Sequence, residues 1–213
     1  MTKVEQFFEN YKPISFANKS IIIKPDQILE SVYYVTSGFV KQSAIGPNGE
    51  EFILNIFRPG SFFAISIAMH RRESYYVFES LTEVELVKAP TKDILRLLKT
   101  NPDLAYDLLS RITSGMNSLM TRMEVLIFGS ANQKVAATIW QNAQRFGKKL
   151  ADGTILIKLQ LTHQQLASLT GLTRETVSIE MSKLKKQKIL NYQGKSITIL
   201  DSSRLKTLVP PTT

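Results

Sequence analysis

The sequence predicts an α+β chain: an antiparallel β half, one long helix, and a C-terminal winged helix-turn-helix. Three observations carry this. Short runs rich in Ile, Val, Tyr and Phe, broken by Pro and Gly, fill residues 14–90. From Pro102 to Phe128 no proline interrupts a helical apolar spacing. Beyond residue 130 the order is helix, strand, two helices and a hairpin.

The β half reads as "SIIIKP", "SVYYVTSGFVKQSAI", "EEFILNIF", "SYYVFESL" and "EVELVKA", with turns at "GPNGE" (46–50) and "RPGSF" (58–62). β-branched and aromatic side chains suit a pleated, half-buried surface, and Pro and Gly supply turn dihedrals. Hairpins of a compact sandwich or barrel are therefore expected. "APTKDILRLLKTNP" (89–102) changes to helical spacing. In the helix that follows, Leu109, Ile112, Met116, Leu119, Met123 and Leu126 are spaced 3, 4, 3, 4, 3, an a/d seam. The stripe fits a seam between two copies of the chain, or one helix lying on the β half. The second reading needs a wider apolar stripe than one flanked by Arg111, Thr113, Asn117, Thr121 and Arg122. Gly115 weakens the helix by roughly 1 kcal/mol relative to alanine.

After "FGSANQ" (128–133), "KVAATIWQNAQRF" (134–146) predicts a helix stopped by Gly147, and "TILIKLQL" (154–161) alternates like a strand. Thr162 with Gln165 three residues on forms a capping-box pattern. It opens a helix at about 163–169 that buries Leu166, Ala167 and Leu169. Gly171 supplies the turn at its end, and Thr173 caps a second helix at about 174–187. "ILNYQGKSITIL" (189–200) then gives two strands around Gln193-Gly194.

Charge separates the halves. Residues 1–129 hold 14 Lys/Arg and 14 Asp/Glu, whereas residues 130–213 hold 13 Lys/Arg and 4 Asp/Glu, so the net +9 lies wholly in the second half. A basic domain on a neutral one fits a polyanionic partner; a lysine-rich solubilising surface is the plainer alternative. Stepping the second helix by about 100° per residue buries Val177, Met181 and Leu184. The same step turns Arg174, Glu175, Ser178, Ile179, Ser182, Lys185 and Lys186 outward. Such a face can enter a major groove with its first turns at the base edges, although a merely solvated helix face has the same pattern. Arginine pairs bidentately with guanine, and a carboxylate accepts from the cytosine amino group. An exposed Glu175 in so basic a domain costs affinity unless it reads a base. Thr162, Thr173 and Thr176 bring hydroxyls and helix N-termini to phosphates, where they position without specifying, and Lys195 at the hairpin tip is a further phosphate candidate.

"GLTRETVS" (171–178) followed by "YQGKSITI" (192–199), with "YYVTSGFVK" (33–41) and "FRPGSFF" (57–63), resembles the cyclic-AMP receptor/fumarate-nitrate regulator (CRP/FNR) family of bacterial transcription regulators. The resemblance implies a jelly-roll-like β-roll effector domain with flanking helices over residues 1–102, a dimerisation helix over 103–129, and a winged helix-turn-helix over 130–213. It further implies a homodimer on an inverted repeat of double-stranded DNA, with RNA polymerase as the partner through which an activator works. Arg174 and Glu175 match the pair with which family members read the half-site core, and Ser178 matches a position that some branches use for base contact. Ile179 departs, since the best-known members have arginine there; it offers only apolar contact, for example to a thymine methyl. His163, Ser182 and Lys185 are candidates for the DNA backbone in the same reading.

The effector region departs further. Cyclic-nucleotide binders place an acid just after the "PG" turn and an Arg-Ser pair beyond it. Here Ile65 takes the first place, and Arg72 is followed by Glu73, which would repel a bound phosphate. On the dimer helix Leu119 and Met120 stand where polar residues would touch the purine. Cyclic AMP is therefore not the expected effector. The matching pocket, for an unidentified small molecule, comprises Ile65, Arg72, Tyr75 and Met120. Arg71-Arg72 fits an anionic effector or a solvated hairpin tip.

With no cysteine, neither disulfides nor thiolate-held metal or iron–sulfur groups are expected, and no cofactor is assigned. No phosphate loop, G-x-S-x-G or H-E-x-x-H occurs, and His70 and His163 lie 93 positions apart, so the chain is not read as an enzyme. The longest near-apolar run, Phe62 to Met69, is far short of a membrane span, and "MTKVEQFFEN" lacks a signal-peptide layout. A cytoplasmic location with no membrane partner is expected. The alternative to a sequence-specific regulator is a ligand-binding or interaction module whose basic half binds nucleic acid without sequence preference.

Overall fold

A computed structural model describes residues 3–210. The chain divides into two compact units, one ending at Ser114 and the other beginning at Gly115, so the division falls inside the long helix.

The first unit begins with α1 (Lys3–Phe8) and continues through eight strands: β1 (Pro13–Phe16), β2 (Ile21–Ile23), β3 (Ser31–Ser37), β4 (Val40–Ile45), β5 (Glu51–Phe57), β6 (Phe62–Phe63), β7 (Val77–Ser80) and β8 (Val84–Pro90). A short α2 (Ile65–Met69) interrupts them; α3 (Thr91–Thr100) and the start of α4 (Pro102–Phe128) follow. The strands form two antiparallel sheets, ordered β1-β8-β3-β6 and β2-β7-β4-β5. Val32, Tyr33, Tyr34 and Val35 on β3 are all buried, because both faces of this strand are covered. On one face Tyr33 stacks on its cross-strand partner Phe63, which stacks on Phe78 of the second sheet; Phe57 lies 5.3 Å from Phe63. On the other face Tyr34 stacks on Phe8 of α1 at 4.7 Å. Rings thus tie the two sheets together through the interior of the roll.

The sequence suggests strands throughout this region and leaves three features unmarked. "PISF" forms β1, paired along β8. The apolar run after Phe63 turns into α2 because Ala64 adopts a left-handed conformation (φ 64°). Residues Lys3–Phe8 form α1, whose buried Val4 and Phe8 close one side of the core.

The second unit holds the end of α4, then α5 (Ala131–Phe146), β9 (Gly147–Lys149), β10 (Ile155–Ile157), α6 (His163–Thr170), α7 (Arg174–Lys186), β11 (Leu190–Gln193), β12 (Ser196–Ile199) and α8 (Ser202–Thr207). Its sheet is antiparallel in the order β11-β12-β10-β9. Helix α5 starts three residues earlier than its apolar spacing predicts, because Ser130 and Gln133 form a capping box across the expected break. Of the strand expected over 154–161 only Ile155–Ile157 forms β10, flanked by backbone hydrogen bonds from Leu150 N–H to Thr154 O and from Lys158 N–H to Phe146 O, and Leu159 and Leu161 beyond it remain buried. Among the described residues no helix is long and apolar enough to cross a membrane.

Candidate nucleic-acid interface

The turn between α6 and α7 follows from local chemistry. Thr162 accepts the Gln165 N–H while the Gln165 side chain accepts the Thr162 N–H, which satisfies orphan donors at the start of α6. Gly171 ends α6 at φ 63°, ψ 25°, where any side chain is strained, and its N–H bonds Ala167 O. Thr173 restarts the helix by accepting the Thr176 N–H at 3.2 Å. The expected inner face of α7 is confirmed, with Val177, Met181 and Leu184 fully buried.

Two polar contacts hold this motif from behind, and sequence reasoning identifies neither. Arg122 of α4 donates to Leu169 O in the last turn of α6 at 2.6 Å. Burial, and then the charge of Arg145, lower its pKa to about 10. Glu180 of α7 is buried and accepts from Asn132 of α5 at 2.9 Å and from Lys183 at 2.7 Å. Burial alone would raise its pKa, but these hydrogen bonds outweigh it and hold the carboxyl below the usual range. In the sequence Glu180 stands beside the buried stripe of the helix with no visible partner, since Asn132 is 48 residues away.

The outer surface is polar and basic. Arg174, Glu175, Lys185 and Lys186 are exposed, as is Ile179 at 56%. Of the four acids in residues 130–213, three have internal partners: Asp152 accepts from Thr154, Glu180 is held as described, and Asp201 accepts the Arg204 N–H at the start of α8. Among the described residues Glu175 makes no ion pair or side-chain hydrogen bond, so an unpaired carboxylate stands on the first turn of α7. Strands β11 and β12 are joined by Gly194 and Lys195, with the positive φ at Gly194, and Lys195 projects at the tip.

Several proposed contact residues are engaged with one another. His163 Nδ1 lies 2.7 Å from Ser178 Oγ, and the His163 ring meets Tyr192 of β11 edge-on at 5.3 Å. Burial, and then the charge of Arg174, lower the His163 pKa, leaving the ring neutral at pH 7. Ser182 Oγ donates to Ser178 O, and its hydroxyl lies 3.4 Å from that of Tyr192. The Lys185 ammonium sits 4.8 Å from the Tyr192 ring centre and donates to Tyr192 O, so it braces α7 against the wing. Tyr192 is the organising residue here. Its place in a strand pattern conceals that role.

The other proposed residues stand apart from this surface. Leu109, Ile112, Met116, Leu119 and Met123 are each between 45% and 57% exposed, and Leu126 is half-buried, so the seam is largely open in the single chain. Ile65 lies in a narrow apolar groove with Phe62, Ile94, Leu97, Leu98 and Leu104, because the left-handed Ala64 turns it toward α3. Arg72 and Tyr75 are exposed, Tyr75 at 77%, and Met120 is 54% exposed on α4. The Tyr33, Phe57, Phe63 and Phe78 rings pack together in the interior of the roll. Among the described residues no cluster suited to a metal ion occurs.

Fold and surface together define a DNA-binding transcription regulator: a winged helix-turn-helix with a basic outer face, joined through a long helix to an antiparallel roll. The chain matches the Crp-like helix-turn-helix domain over residues 133–208 and the cyclic nucleotide-binding domain over residues 13–101. The chain belongs to the CRP/FNR family. It is 29% identical over 187 residues to the global nitrogen regulator of Nostoc sp., covering 87% of this chain and 83% of that protein. A CRP/FNR-family transcriptional regulator from Thermus thermophilus superposes with a TM-score of 0.74 at 26% identity, covering 92% of this chain and 97% of that one. FixK2 from Bradyrhizobium japonicum shares the fold, with a TM-score of 0.82 at 21% identity over 95% of this chain and 99% of that one.

Proposed function

We propose that two copies of this regulator pair along α4 and bind an inverted-repeat DNA site through α7 independently of cyclic AMP. The unpaired Glu175 carboxylate on a basic face carries the reading of sequence specificity. A carboxylate on this face repels the phosphates unless it gains a base contact, and the cytosine amino group provides one. Arg174 is assigned to guanine, Ser178 and Ile179 to the neighbouring bases, and Thr162, His163, Thr173, Thr176 and Lys195 to phosphates. Ser182 and Lys185 act chiefly by fixing α7 to the wing. Pairing is supported by the open apolar seam, whose burial against a second copy removes five large side chains from water. Independence from cyclic AMP is supported by Ile65 and Glu73 at places where binders carry polar partners. Residues 1–102, 103–129 and 130–213 serve as roll, pairing helix and DNA-binding domain. RNA polymerase and an unidentified effector are further partners implied by the family resemblance.

The test is binding to duplexes selected from a random pool and to random duplexes across a salt series, with sedimentation to count copies. Selected sites are expected to gain at least about 10³-fold at physiological salt. A gain below about tenfold, or a monomer on DNA, overturns the proposal and favours non-specific binding by the basic half.

A further inference from the structure

We propose that His163 sets the hydrogen-bond polarity of Ser178 and thereby decides which base edge that serine reads. The inference rests on α7 being a recognition helix. Its basis is the contact of 2.7 Å between His163 Nδ1 and Ser178 Oγ, between residues fifteen positions apart on two helices. The ring is held on three sides. It begins α6, faces Ser178 and the charge of Arg174 on α7, and meets the Tyr192 ring of β11, which also carries the Lys185 ammonium. Nδ1 is thereby committed to Ser178, and Nε2 remains for other partners.

The consequence follows from counting protons. A neutral imidazole has one donor nitrogen and one acceptor. If Nε2–H donates to a DNA phosphate, Nδ1 is the acceptor and the Ser178 hydroxyl must donate to it. Ser178 then offers a base only lone pairs, which suit the amino groups of adenine N6 or cytosine N4. When the ring gains a proton, both nitrogens donate, Nδ1–H points at Ser178 Oγ, and the serine proton is released. Ser178 then suits acceptors, guanine O6 or N7 or thymine O4. The low pKa of the free ring favours the first state at neutral pH, whereas a nearby phosphate moves the bound ring toward the second.

The test is competition binding at fixed salt on a panel of duplexes with all four base pairs at each symmetric position, at about pH 8 and about pH 5.5. The wild-type protein is expected to favour an amino-bearing base at one symmetric pair of positions by about fivefold or more at the higher pH. That preference is lost or inverted at the lower pH. His163→Phe keeps a ring against Tyr192 but lacks Nδ1, and abolishes the pH dependence at that position alone. Ser178→Ala removes the preference there at both pH values and leaves the Glu175 position discriminating. A preference that stays the same across pH, or a His163→Phe protein that retains the shift, overturns the inference. A wild-type protein indifferent at every position overturns the recognition-helix reading itself.

Discussion

Removing Asn132 tests how firmly α7 is held to α5. Glu180 is only 6% exposed, so water cannot replace the Asn132 amide when Asn132→Ala deletes it. A hydrogen bond to a charged group contributes about 1.5–3 kcal/mol, which sets the expected loss near 2 kcal/mol. Lys183 donates to the same carboxylate, but its side chain is 57% exposed, so Lys183→Met is expected to cost less than about 1 kcal/mol. Trp140, the single tryptophan, lies on α5, so its fluorescence reports the second unit selectively during urea unfolding. With an m-value of about 1.5 kcal/mol/M, Asn132→Ala moves the midpoint down by about 1.3 M and Lys183→Met by less than half as much. The effect also has a sign in pH. The carboxyl pKa is lowered by folding, so its stabilisation is present above the ordinary value of 4.5 and is lost as pH falls through the lower folded value. The gap between wild type and Asn132→Ala should therefore narrow in acid. Equal losses for the two variants, or a shift below about 0.3 M for Asn132→Ala, would show that the buried pair does not hold the helix.

Other substitutions separate reading, anchoring and pairing. Glu175→Ala should relax preference at one symmetric pair of base positions while the salt dependence of binding stays nearly constant; retained preference refutes its role as a reader. Lys195→Ala should weaken all duplexes alike and lower the salt slope by about one, measured by titration over several salt concentrations. Ile112→Glu with Leu119→Glu places charges on the open seam and should give a monomer by sedimentation, with binding to a full inverted repeat reduced to that of a half-site. Cyclic AMP at micromolar concentration should leave the melting temperature unchanged, and a clear rise would contradict the reading of the roll.

Much of this structure was legible because the signals were local. The threonine caps, the glycine at 171 and the buried stripe of α7 each depend on residues within one or two helical turns, and each appears as expected. The heptad spacing of α4 likewise announced a stripe that is now seen to be open. Failures have three physical sources. Where solvent takes the side chains, periodicity vanishes: all three residues of β9, Gly147, Lys148 and Lys149, are exposed, and nothing in "GKK" marks an edge strand. Where function depends on pairs distant in sequence, neither partner is conspicuous alone. His163 with Ser178, Asn132 with Glu180, and Arg122 with Leu169 meet only after folding. "FGSANQ" is a third case. Its Gly and Asn suggested a break, while the S-x-x-Q spacing within it already encoded the cap that lengthens α5.

The brace between Lys185 and Tyr192 has a consequence for the DNA rather than for the protein. It fastens α7 to the hairpin that carries Lys195 at its tip, so in the proposed mode of binding the two points of contact are coupled like the jaws of a caliper. A caliper measures. Duplexes whose groove already matches that opening bind without deformation, whereas stiff or mismatched ones must be bent or squeezed at an energetic cost. In that mode of binding, base pairs lying between the two points of contact, touched by neither, shape which sites are occupied.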